Sequence, residues 1–228
     1  MSPQALLAFT QLTFERDDWP LFSHLSGQVD AGEILQITGP NGCGKTTLLH
    51  ILATLQPFQQ GRIYWQGQDI ASCRQDYHED LVFIGHQAGL KAALSPRENL
   101  QWLSQLHPLS QCSIDEALEK VGLEGFEDVA CHTLSAGQLR RTALATLHMT
   151  TAKLWLLDEP LTALDTKGIK ELEALLIQHV EGGGGVVLSS HQLLSNSAVR
   201  TLALDDMSAD THSGDAFTED ATSHEACI

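Results

Sequence analysis

The sequence predicts an α/β protein built on a mostly parallel core sheet, and three observations carry that prediction. An apolar strand, "GEILQIT", runs directly into the glycine-rich "GPNGCGKTT" and then into the helical "LLHILATL". Further along, "KLWLLD", "TKGIKELEALLIQHV" and "VVLSS" alternate strand, helix and strand, as parallel βαβ units do. Between these regions three helix-start signals follow one another from Ser95 onward.

Taken in order, "LLAFTQLTF" and "GRIYWQGQDI" read as strands bounded by turn residues. The stretch "SPRENLQWLSQL" offers Ser95 as N-cap, Pro96 at the first helical position and Glu98 to close a capping box. "SIDEALEKVGL" repeats the device with Ser113 and Glu116 and stops near Gly122. "LSAGQ" does so again with Ser135 and Gln138, ahead of the helical "LRRTALATLHM". The helix "TKGIKELEALLIQHV" ends at "GGGG". Residues 205–228 are acidic and poor in apolar side chains, so a disordered tail is expected there.

The chain has 228 residues, 43% hydrophobic and 18% charged, enough for one or two closely packed domains with a sizeable core. Its formal net charge is −16; taking away the seven acids of residues 205–228 leaves −9. That sign argues against nucleic acid as a partner and against bulk adsorption to anionic lipid. The five cysteines are scattered, without a Cys-x-x-Cys pair, and are expected as reduced thiols in the cytosol rather than a disulfide frame or zinc site. The N-terminal stretch lacks the pattern of a signal peptide, and no apolar run approaches the ~20 residues of a membrane span, so membrane work would pass through a partner.

Residues 39–47, "GPNGCGKTT", match Gly-x-x-x-x-Gly-Lys-Thr between a strand and a helix. Gly39, Gly42 and Gly44 let the backbone wrap a phosphate chain, with Pro40, Asn41 and Cys43 between them and Thr47 following. Lys45 brings a charged amine to the β- and γ-phosphates, and the Thr46 hydroxyl can ligate Mg²⁺. Such a loop needs an acidic element for the metal. Asp158, ending the apolar "LWLLD", supplies it, while the adjacent Glu159 can accept a proton from an attacking water. The start of the "LSAGQ" helix is a second anion site, since a helix N-terminus presents free N–H groups and partial positive charge.

The ordered set "GPNGCGKTT", Gln87, "LSAGQ", "LLDEP", "LTALD" and His191 resembles the ATP-binding-cassette (ABC) ATPases over residues 5–204. GTPases would need an Asn-Lys-x-Asp base reader, which is absent. The resemblance implies a P-loop fold of the ABC ATPase type: the parallel core sheet, an antiparallel β subdomain and a helical signature subdomain at about residues 90–148, within a cassette spanning 1–204. It implies ATP and Mg²⁺ as ligands, with Gln87 at the metal and attacking water, and with His191 contacting the γ-phosphate and orienting Glu159. It also implies a head-to-tail dimer of two copies. There Ser135, Ala136, Gly137 and Gln138 cover the ATP held by the other copy, and Asp165 communicates across the seam. Ala136 stands where many members have Gly. Family members commonly stack adenine on an aromatic residue just upstream of the phosphate loop; here Arg16 takes that place, with Phe14 or Trp19 as substitutes.

Within that family, "ERDDWPLF", "YWQGQDI", "FIGHQAGLK", "GFED" and "LEALLIQHVEGGGGVVLSSHQ" resemble the ATPase subunits of haem exporters in bacterial cytochrome c maturation. The resemblance implies a peripheral place on the cytoplasmic face of the inner membrane, beside the integral membrane subunits of the exporter. There ATP hydrolysis would drive haem handling or release of a haem-loaded chaperone. Direct haem ligation is not expected, for there is no Cys-x-x-Cys-His and the eleven histidines are dispersed. Three alternatives stay open: an ATPase subunit serving another cargo, a non-transport cassette protein and a nucleotide-binding module without hydrolysis. A non-transport cassette typically has a second cassette, a coiled-coil insertion or a basic surface. Glu159 and His191 argue against the third reading.

Overall fold

A computed structural model of the chain describes residues 5–17, 19–105, 111–192, 194 and 197–204. The strands are β1 (Ala5–Arg16), β2 (Trp19–Asp30), β3 (Ile34–Thr38), β4 (Gln60–Trp65), β5 (Gln68–Asp69), β6 (Leu81–Ile84), β7 (Leu154–Asp158), β8 (Gly185–Ser189) and β9 (Val199–Ala203). The helices are α1 (Lys45–Leu52), α2 (Arg74–Glu79), α3 (Pro96–Ser104), α4 (Ile114–Lys120), α5 (Ala136–Met149) and α6 (Thr166–Glu181). Two sheets form: an antiparallel one in the order β2-β1-β4-β5, and one in the order β6-β7-β8-β3-β9 whose pairings are all parallel.

The parallel sheet is apolar along its length because both faces are covered. Leu154 and Leu156 of β7 join a core with β1, β4 and α1 that holds Leu7, Phe9, Leu48, Leu49, Ile63 and Trp65. The alternate residues Trp155 and Leu157 face a second core, with Leu144 and Leu147 of α5 and Leu172 and Leu176 of α6. Each such side chain contributes roughly 1.5–3 kcal/mol when fully buried, so the sheet is clamped from both sides. A third, smaller core gathers Leu100, Leu118, Leu123 and Met149 between α3, α4 and α5.

The capping boxes expected at Ser95, Ser113 and Ser135 all form, each with a reciprocal serine–backbone and Glu or Gln–backbone pair. "GRIYWQGQDI" is a hairpin rather than one strand. Gln66 and Gly67, at φ 47 and 80, make the two-residue turn between β4 and β5. Strands β2, β6 and β9 and helix α2 are additions to the sequence-based expectation. In β2 only Phe22 and Val29 are buried, so its pattern carries little hydrophobic signal. The edge strand β9 has no buried residue, and β6 has four residues. The tail expected at 205–228 lies outside the described residues.

Candidate functional site

Because β6, β7, β8 and β3 are parallel neighbours, their carboxyl ends open on one edge, where ligands of open α/β sheets bind. The phosphate loop leaves β3 there. Gly39 has φ 145, and a Cβ on it would stand 2.4 Å from the Leu204 carbonyl oxygen, so only glycine fits. Gly44 is the N-cap of α1 and supplies no side-chain cap, which leaves the first N–H groups of the helix for an anion. Lys45 is 8% exposed, and its Nζ donates to the carbonyls of Gly39 at 2.8 Å and Pro40 at 3.0 Å. The ammonium is thus held inside the loop whose ligand it is expected to meet.

Asp158 ends β7 and is fully buried. Its carboxylate accepts from Thr46 Oγ1 at 2.9 and 3.1 Å and from Ser189 Oγ at 2.7 Å. A carboxylate beside a hydroxyl is a hard oxygen donor set, which fits Mg²⁺ completed by water and phosphate oxygens. Gln87, exposed in the loop after β6, lines one cavity of about 520 Å³ with Thr46 and Asp158.

Glu159 departs from the strand in the left-handed region, at φ 48. For a residue with a side chain that conformation costs about 1–3 kcal/mol and persists only where surroundings enforce it. Its N–H donates to Ser189 Oγ at 2.9 Å, and its carbonyl accepts from Arg140 at 2.7 Å. The His191 Nε2 stands 3.3 Å from Glu159 Oε1, with the histidine 55% and the glutamate 15% exposed. Glu159, His191, Lys45, Thr46, Thr47, Asn41 and Arg16 share the wall of a cavity of about 610 Å³.

Arg16 is therefore brought to the phosphate loop. Phe14, its aromatic alternative, does not line that cavity: it is buried in the core with its ring 6.1 Å from that of Phe22. Trp19 pairs with Arg16 across the β1–β2 hairpin and is 63% exposed. The Cys43 side chain turns into the core, and Pro40 is exposed on the loop.

Ser135, Ala136, Gly137 and Gln138 do not line either of these cavities of their own chain. Ser135 and Ala136 are exposed at the start of α5. Gly137 fits because its α-carbon lies close to the loop before α6: a Cβ there would stand 2.8 Å from the Ala163 carbonyl oxygen. Asp165 caps α6 through the Gly168 N–H at 2.9 Å and pairs with Arg141 of α5 at 2.6 Å. That backbone bond, with Arg141 adding to it, holds the Asp165 carboxyl below the usual carboxylate range.

Two participants escape motif reading. Ser189 is the first serine of "SSHQ" and is fully buried. Arg140 is buried too, and burial pushes its guanidinium below its usual value, opposed by the nearby Asp158 and Glu159. Helical periodicity could have found it, since Arg140 shares the inner face of α5 with Ala143, Leu144 and Leu147.

With this geometry in hand, comparison with known proteins is specific. The family model for ABC transporters matches residues 22–162. The cytochrome c biogenesis ATP-binding export protein CcmA of Pseudomonas putida is 53% identical over 184 residues, covering 80% of this chain and 88% of that one. The protein of the same name from Hahella chejuensis is 46% identical over 201 residues, covering 87% and 95%. The one from Escherichia coli K12 is 47% identical over 201 residues, covering 87% and 96%. Among solved structures, an ATP-binding protein of ABC transporter type from Pyrococcus furiosus superposes with a TM-score of 0.74 at 24% identity, covering 87% of this chain and 96% of that one. A dimeric ATP-binding cassette bound to ADP and Pi gives 0.75 at 24% identity, covering 88% and 94%.

Proposed function

From the premise that this chain belongs to the ABC transporter family, as an ATP-hydrolysing subunit, we propose that it drives the haem exporter of cytochrome c biogenesis. The observation that carries the cargo is the 53% identity to a protein named as an export protein of that process. The observation that carries the chemistry is the Glu159–His191 pair, 3.3 Å apart, on the same cavity wall as Lys45.

The glycine loop and the N-terminus of α1 bind the phosphates of ATP, and Lys45 leaves the Gly39 and Pro40 carbonyls to meet the β- and γ-phosphates. Thr46, Asp158 and Gln87 would hold Mg²⁺, which when bound neutralises charge on the phosphate oxygens. Arg16 flanks the base, its planar guanidinium being able to stack on a purine. Glu159 takes a proton from the water that attacks the γ-phosphorus; the bond to the ADP oxygen breaks, and phosphate departs. His191 contacts the γ-phosphate and keeps Glu159 aligned. Ser135, Ala136, Gly137 and Gln138 close over the nucleotide of a second copy of the chain, and Asp165 relays between the two sites.

In this reading residues of about 90–148 work as a helical unit beside the rest of a cassette spanning 1–204. The Gln87 loop passes its motion to integral membrane subunits at the cytoplasmic face of the inner membrane. None of the helices among the described residues is long and apolar enough to cross a membrane, which suits a peripheral subunit. Haem stays with the partners.

Deleting the gene in its host and staining membrane and periplasmic fractions for covalently bound haem tests the cargo. Loss of c-type cytochromes, restored by the wild-type chain and not by Glu159→Gln, is expected. Normal cytochromes in the deletion strain would leave the ATPase standing and remove the haem assignment.

A further inference from the structure

Arg140 is a buried cation that no motif explains. Its guanidinium donates to four backbone carbonyls: Gly85 at 2.7 Å, Asp158 at 2.7 Å, Glu159 at 2.7 Å and Pro160 at 3.4 Å. It makes no ion pair with a carboxylate among the described residues. Burying a charge is expensive unless it is hydrogen-bonded, and here the carbonyl dipoles take the place of a counter-charge.

The carbonyls it gathers are not arbitrary. Gly85 opens the loop that carries Gln87. Asp158 to Pro160 is the turn in which Glu159 adopts φ 48. Ser189 ties the Glu159 N–H from one side, and Arg140 ties its carbonyl from the other. The peptide groups flanking the glutamate α-carbon are thereby anchored. Arg140 also belongs to α5, the helix whose exposed start is Ser135. A planar fork with five N–H donors suits four fixed carbonyls; an ammonium with three does not.

We propose that Arg140 is a positioning residue for hydrolysis, holding Glu159 in its left-handed turn and locking that turn to the signature helix and to the Gln87 loop. The proposal rests on the reading of Glu159 as the general base. Its consequence is that a displacement of α5 reaches the base directly, without passing through nucleotide.

A double-mutant cycle in the full chain tests it: wild type, Arg140→Lys, Glu159→Gln and the pair, each measured for ATPase kcat, KM for ATP and thermal unfolding. Arg140→Lys is expected to fold, to keep KM within about 2-fold and to lose at least tenfold in kcat, the scale of a misplaced catalytic group. In the Glu159→Gln background the same change should cost nothing further, because the group it positions is gone. Wild-type kcat in Arg140→Lys, or an equal loss in both backgrounds, overturns the proposal. Arg140→Gln, which keeps a planar NH₂ donor, serves as the second variant. If neither variant folds, Arg140 is a determinant of the fold and the positioning role falls. Wild-type kcat in Glu159→Gln itself would instead remove the underlying reading of the base.

Discussion

The Ser189 hydroxyl donates to Asp158 Oδ1 at 2.7 Å. Ser189 Oγ also accepts the Glu159 N–H at 2.9 Å, so one buried atom serves the Asp158 carboxylate and the backbone of the neighbouring glutamate. Ser189→Ala leaves that N–H without its partner and removes a donor from a fully buried carboxylate. An unsatisfied buried group costs about 1–3 kcal/mol, so denaturant unfolding should show a loss of that size. Unchanged stability would mean that the bridge is dispensable to the fold.

Lys45 donates to the Gly39 and Pro40 carbonyls within its own loop. In the proposed ATP complex those neutral acceptors would be exchanged for charged phosphate oxygens, a gain of roughly 1.5–3 kcal/mol for a charge-assisted bond. Lys45→Ala should therefore weaken ATP binding by about 10- to 100-fold in calorimetric titration, at little cost to the fold. Wild-type affinity in this variant would show that the loop holds nucleotide without the ammonium.

That residues 39–47 join a strand to a helix, and that Asp158 and Glu159 stand where a strand ends, was legible in the sequence because both are patterns over a short span. The serine caps of α3, α4 and α5 were legible for the same reason: each is a local bargain between residues three apart. Periodicity places Arg140 on the inner face of α5, but the partners of Arg140 and Ser189 were not legible, since they lie at separations of 18–55 and of 30–31 residues. Nor could the pattern reveal that Phe14 faces Phe22, because that contact depends on β2 pairing back onto β1. That Arg16 and Trp19 stand side by side depends on the hairpin that pairs them, a tertiary matter.

The rings of Trp155 and His179 stack at 3.7 Å with their planes 10° apart. Burial pushes the His179 imidazole below its ordinary value, although its Nε2 lies 3.2 Å from the Lys153 carbonyl oxygen. His148 is lowered for the same reason. A histidine whose folded-state pKa is depressed binds fewer protons folded than unfolded. Stability is therefore complete above the unfolded value of about 6.5 and falls as pH drops through it. Denaturation midpoints should decline below about pH 6.5, and His179→Gln should flatten that decline. A midpoint independent of pH over that range, in the wild-type chain, would contradict the lowering of these imidazoles.

Gly137 sits where α5 approaches the Ala163 carbonyl, at a point where Ala163 itself has φ 64. A methyl at Gly137 would stand 2.8 Å from that backbone oxygen. Gly137→Ala should force α5 and the turn apart at a cost of about 1–3 kcal/mol, the usual price of overpacking. Ala136, exposed one residue earlier, should accept substitution by glycine within about 0.5–1 kcal/mol, the helix-propensity difference alone. Equal thermal stability of the two variants would show that the loop yields freely.

Ser135 offers the sharpest separation between a helix cap and a ligand contact. As a cap its hydroxyl accepts the Gln138 N–H at 3.2 Å, and losing that costs about 1 kcal/mol of stability. As a contact it would act only on ATP held by another copy, because it does not line the phosphate-loop cavity of its own chain. Ser135→Arg puts a long cation at an exposed helix start, so the chain should still fold and still bind ATP with wild-type affinity. In a Glu159→Gln background, where bound ATP persists, the unaltered signature should give a dimer by light scattering on addition of Mg·ATP. The Ser135→Arg chain should remain monomeric under the same conditions. Dimerisation of that variant around ATP would assign Ser135 to capping alone and leave the second anion site without a ligand.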